Sequence, residues 1–119
     1  MALAYIEAKN PADLPMAKEI NETLHLAYPN NSWWVRIDGG LVIIKHFSIS
    51  GTCGMVRKYR DLAGDAMHRK REVIRAAGEL LERAGLRRGA YEEQVVKKLE
   101  HDGDVKWQAN PIVIVPETH

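Results

Sequence analysis

The chain has 119 residues, enough for one domain that buries roughly two-thirds of its unfolded surface. Its 45% hydrophobic and 28% charged composition excludes a disordered or fibrous chain, and its one cysteine excludes an intrachain disulfide. The net charge of +1 hides an uneven distribution: residues 55–90 hold ten Lys/Arg against five Asp/Glu, while both flanks are acidic.

The first residues, Met-Ala-Leu-Ala-Tyr-Ile-Glu-Ala-Lys, lack a basic segment followed by a long apolar one, so they do not read as a signal peptide. No apolar run approaches the ~20 residues of a membrane span. A cytoplasmic origin and no membrane partner are expected. Residues 1–9 suit a short strand or an ordered arm. Asn10-Pro11-Ala12-Asp13 has the polar cap and first-turn proline of a helix start. Ala17, Ile20, Leu24 and Ala27 follow at helical spacing until Tyr28-Pro29 ends the run.

Ser32 to Phe47 reads as a β-hairpin: two runs rich in Trp, Val and Ile, broken at Asp38-Gly39-Gly40. Alternation groups Trp33, Val35, Ile37, Val42 and Ile44 on a core face. The opposite face then carries Trp34, Arg36, Leu41, Ile43, Lys45 and Phe47. A hairpin has one face to give to a helical layer, so this second face needs another cover.

Ser48 to Gly54 is the most loop-like interior stretch, expected to turn into a short third strand near Gly54–Lys58. From Asp61 or Asp65 to Leu86 runs the longest helix signal, with Ala66, Val73, Ala77, Leu80 and Ala84 flanked by Met67, Ile74 and Leu81. A shorter helix is expected over Tyr91–Glu100, then a turn at Asp102-Gly103-Asp104 and strands at Val105–Gln108 and Ile112–Val115. The order α-β-β-(β)-α-α-β-β predicts a single α+β domain over 1–119. Its twisted, mostly antiparallel sheet is packed by one long helix and shorter helices.

Chemistry-bearing motifs are sparse. Cys53 lies between Gly51 and Gly54, and His46 or His68 could act as its base, but Met55 breaks the spacing of a glycine-flanked nucleophile turn. A lone cysteine beside glycines is more often a small buried residue. The five histidines show no metal-ligand spacing. Asp61-Leu-Ala-Gly-Asp-Ala66 is faintly similar to the pyrophosphate loop of acetyl-CoA-dependent N-acetyltransferases, which would imply a degenerate acyltransferase-like fold. Asp61 stands where that family has Arg or Gln, and acidic residues repel a phosphate at a helix N-terminus. No catalytic residue, metal or cofactor is assigned, and a non-enzymatic role is expected.

The helix, three-stranded meander, helix order resembles double-stranded-RNA-binding domains. On that reading Arg57, Arg69, Lys70 and Arg75 would meet phosphates of duplex RNA or DNA. The glycine- and lysine-rich approach of that family is missing, and the bland alternative is a solvated helix face.

Leu26-Ala-Tyr-Pro-Asn, the segment Trp33 to Lys45, and the stripe Ala66–Leu86 together are similar to small uncharacterised proteins encoded among the structural genes of tailed bacteriophages. The resemblance covers residues ~24–88 and carries no catalytic motif. It implies a virion-associated or assembly role, in the host cytoplasm or the virion. The leading expectation is an assembly or interaction protein that docks through Trp34, Arg36, Ile43, Lys45 and Phe47, either to a protein partner or as a homo-oligomer. Nucleic-acid binding through residues 57–75 is the alternative.

Overall fold

The structure, a computed structural model, describes residues 4–29, 31–48, 51–85, 97 and 112–115. A five-stranded mixed sheet, in the spatial order β4 (Gly51–Lys58), β3 (Leu41–Ser48), β2 (Ser32–Asp38), β1 (Ala4–Ala8) and β5 (Ile112–Ile114), carries two principal helices. The α+β class expected from the sequence is what the fold shows.

Strand β1 (Ala4–Ala8) pairs in parallel with β2 (Ser32–Asp38) on one side and with β5 on the other, so it is an interior strand of the sheet. Ala4, Ile6 and Ala8 point into the core, as the period of two requires. Between β1 and β2, a 3-10 turn at Pro11–Asp13 leads into α1 (Leu14–Ala27). The side chain of Asn10 accepts from Ala12 N at 3.0 Å, capping the entry.

Strand β2 turns through Gly39-Gly40 into β3 (Leu41–Ser48), with Asp38 opposite Leu41. Gly39 has φ +59°, the left-handed conformation that such a two-residue turn demands. Strand β4 (Gly51–Lys58) pairs antiparallel with β3 along its whole length. It starts three residues earlier than expected, because Gly51, Thr52 and Cys53 extend the strand instead of looping. Cross-strand pairing overrides the weak intrinsic preference of glycine for strands here.

A short helix, α2 (Tyr59–Leu62), precedes α3 (Ala66–Arg83). Asp65 caps α3 by accepting from Met67 N at 2.8 Å. Strand β5 (Ile112–Ile114) adds in parallel to the outer side of β1. The helix expected over Tyr91–Glu100 and the strand over Val105–Gln108 lie outside the described residues.

Helices α1 and α3 pack on the same face of the sheet. Ala17, Ile20 and Leu24 of α1 and Val73, Ile74, Ala77, Leu80 and Leu81 of α3 share one core with Trp33, Val35, Ile37, Val42 and Ile44. All ten of these hairpin and α3 residues are buried, whereas Ala66 and Ala84, at the ends of the expected helical stripe, are exposed and Met67 is half-buried. A fully buried aliphatic side chain contributes about 1.5–3 kcal/mol. Tyr28 closes one end: its hydroxyl donates to Ile74 O at 3.2 Å, and its own carbonyl accepts from Trp33 Nε1 at 3.3 Å.

Candidate docking face

Strand alternation sends Trp34, Arg36, Ile43, Lys45 and Phe47 to the face opposite the helices. The register sets them side by side: Trp34 against Lys45, Arg36 against Ile43, and Phe47 against Ser32. All five residues expected to form a partner surface thus lie on one continuous face. No described helix packs there. Leu41 is 46% exposed, Phe47 37% and Val56 51%, values unlike those of a covered sheet.

The aromatic residues gather at one end of this face. Phe47 stacks on Trp34 with centroids 5.8 Å apart and an interplanar angle of 22°. Tyr5 meets Trp34 edge-on at 4.7 Å. Lys45 Nζ lies 4.6 Å from the Trp34 ring centroid, within cation–π range. Beside this cluster is an apolar groove of about 400 Å³, lined by Ala4, Tyr5, Ser32, Trp34, Phe47 and Ile112 among others.

Further along, the face is ionic. Arg36 Nε lies 2.7 Å from Glu7, its neighbour in the β1–β2 register, and its Nη2 lies 3.4 Å from Asp38. Lys9 reaches Asp38 at 3.5 Å. Arg36 is therefore tied among carboxylates, while Lys45 stands over the aromatic cluster. Sequence reasoning missed Tyr5, Glu7 and Val56 as members of this face. The alternation Tyr5-Ile6-Glu7 was the available signal, but a five-residue strand cannot announce which neighbour it pairs with.

The basic stretch looks different once its partners are seen. Arg57 pairs with Glu79 at 3.0 Å, and Arg75 with Glu72 at 2.6 Å. Arg69 forms a two-pronged pair with Glu19 of α1 and also donates to Leu62 O at 3.1 Å and Gly64 O at 3.3 Å. Its hydrogen bonds to Glu19 raise its pKa above the ordinary guanidinium value, against an opposing effect of burial. Lys70, the fourth residue of the nucleic-acid reading, is half-buried on the same helix. The segment similar to a pyrophosphate loop turns carbonyls of Leu62 and Gly64 toward Arg69, and Asp65 occupies the Met67 N–H at the start of α3.

Cys53 and His46 are cross-strand partners on the helix-facing side, with Sγ 4.0 Å from Nδ1. His46 Nε2 lies 2.8 Å from Asn31 Nδ2, and the ring packs against Trp33 at a centroid distance of 5.1 Å. Burial pushes the His46 pKa below its ordinary value, so the ring is neutral. With Asn31 donating to Nε2, the ring proton sits on Nδ1 and points at the sulfur. In that tautomer His46 is a donor to Cys53 and not a base for it. His68, the other candidate, is exposed on α3, with Nε2 3.4 Å from Asp61 O.

No group of three or more His, Cys, Asp or Glu among the described residues is placed to hold a metal ion. No helix among them is long and apolar enough to cross a membrane. Comparison of the chain with protein-family models, with curated proteins and with solved structures finds no match in any of the three.

Proposed function

We propose that this protein is a non-enzymatic docking module that binds a protein partner on the open face of its sheet. The observation that carries the reading is the Tyr5–Trp34–Phe47 cluster, set beside an apolar groove and topped by Lys45. Aromatic residues concentrate at interface centres because they bury a large area at small conformational cost. The groove suits one large apolar or aromatic anchor. Lys45 favours a carboxylate next to that anchor. On the resemblance to phage structural-module proteins, the partner is a virion or assembly component.

The ionic half of the face favours protein over nucleic acid. Glu7 and Asp38 lie among its cations and would repel a phosphate backbone. A protein surface can match such mixed charge, which fixes register and excludes wrong partners.

The test is a peptide-display selection on the immobilised protein, counter-selected on the folded Trp34→Ser/Ile43→Ser variant. Peptides with an aromatic or large aliphatic anchor flanked by Asp or Glu should be enriched. Their affinity should fall at least tenfold for the variant, the loss of about 1.4 kcal/mol. An enrichment that survives the double substitution, or none at all, overturns the reading.

A further inference from the structure

Asn21 lies in the stripe of α1 that faces the sheet, flanked by Ala17, Ile20 and Leu24, and like them it is fully buried. An amide taken out of water needs hydrogen bonds in exchange for its hydration. Among the described residues, Nδ2 of Asn21 bonds to Tyr5 O at 3.4 Å, and its Oδ1 has no partner. Leucine has the same branched shape without the polar atoms, so core packing alone gives no reason for an amide here. A buried group left half-satisfied calls for a role other than stability.

The bond that Asn21 does make reaches a residue of the docking face. The Tyr5 ring points away from the helices, meets Trp34 edge-on at 4.7 Å and lines the groove with Ala4 and Ile112. Its carbonyl is held from the other side of the sheet. Packing alone fixes β1 weakly against α1. Of the three residues that the strand turns to the helices, Ala4 and Ala8 are small, and only Ile6 has a side chain large enough to interlock. A directional bond to Tyr5 O supplies the constraint that two methyl groups do not.

We propose that Asn21 is a positioning residue for the docking face. Through the Tyr5 carbonyl it sets the depth of β1 under α1, and with it the edge-on stance of the Tyr5 ring that shapes one wall of the groove. The groove is then governed by a residue buried from any partner, on the opposite side of the sheet. The bearing of Asn21 on binding rests on the docking reading; its hold on the Tyr5 ring does not.

Asn21→Leu tests this in two ways. The first readout is the set of nuclear Overhauser contacts between the Tyr5 and Trp34 rings, which needs no ligand. The second is binding of anilinonaphthalene sulfonate, whose aromatic body and single anionic group stand for the anchor and its carboxylate. Asn21→Leu should unfold at or above the wild-type denaturant midpoint, yet lose the ring contacts and bind the dye about tenfold more weakly. Ile20→Val, a neighbour on the same stripe, should lower the midpoint and leave both readouts unchanged, which separates positioning from packing. A folded Asn21→Leu that keeps the wild-type ring contacts overturns the proposal, whatever its stability. Should Asn21→Leu not fold, Asn21→Ala, which adds no bulk, decides by the same contacts. Dye binding that is absent, or unchanged in Trp34→Ser/Ile43→Ser, counts against the docking reading instead, and the ring contacts still decide the role of Asn21.

Discussion

Arg69 of α3 grips Glu19 of α1 with two guanidinium nitrogens while donating to the carbonyls of Leu62 and Gly64. One side chain thus ties both principal helices and the α2–α3 connection. The pair is largely shielded, with side chains 13% and 27% exposed, so solvent screens it far less than an ordinary surface pair. Removing one partner strands the other charge and leaves two carbonyls short of a donor. Arg69→Ala should cost about 2–4 kcal/mol in urea denaturation. Arg69→Lys should recover only part of that, because an ammonium cannot reproduce the planar fork. A cost of a few tenths of a kcal/mol would place the pair with ordinary surface contacts.

Ile74 is buried between the helices and the hairpin, and its carbonyl receives the Tyr28 hydroxyl. Ile74→Ala should lose about 2–5 kcal/mol, the transfer term plus the cavity left behind. Tyr28→Phe isolates the hydrogen bond and should cost about 1 kcal/mol. Denaturant midpoints for the two variants measure both effects.

His46 gives the fold a dependence on pH. Burial lowers its pKa in the folded state, so the unfolded chain binds its proton more readily. The contribution is complete above the ordinary value of 6.5 and is lost as the pH falls from there toward the folded pKa. Stability measured through this window should decline with acid more steeply for the wild type than for His46→Gln. Equal slopes would remove His46 as the source.

Duplex RNA or DNA should bind weakly or not at all at physiological salt. Arg57, Arg69 and Arg75 are each paired with a glutamate, and counterion release needs cations free to meet phosphate. Filter binding across a salt series, wild type beside a variant with Arg57, Lys70 and Arg75 changed to Ala, measures this. Tight, salt-sensitive binding abolished in the variant would favour the nucleic-acid reading over docking.

The hairpin was legible because three signals agree on it. Gly39-Gly40 supplies the turn, Trp33-Val35-Ile37 alternates on one strand, and Val42 and Ile44 fall opposite once the two-residue turn sets the register. Helix α3 was legible for a similar reason: Val73, Ile74, Ala77, Leu80 and Leu81 form one stripe behind a capping Asp65. Strand β1 was not. Ala4, Ile6 and Ala8 alternate, but parallel pairing leaves no turn residues to mark it, and its partner lies beyond an entire helix. The contribution of Tyr5 and Glu7 to the docking face was hidden with it. His46 escaped notice as a core residue because histidine has no strong burial preference, and only its position across from Cys53 shows the role.

The placement of β1 has a consequence for the order in which the sheet assembles. The meander from β2 to β4 joins segments close in sequence, whereas Tyr5 must find Ile112 across most of the chain. Contacts of such long separation form late, because their loop-closure entropy is lost before they return any stability. During synthesis β1 can pair with β2 as soon as α1 and the hairpin have emerged, while its other edge waits for β5. The interval exposes the backbone of an interior strand to other nascent chains. Slow translation between α3 and Ile112 would lengthen that interval, so the yield of folded protein should depend on elongation rate there more than anywhere upstream.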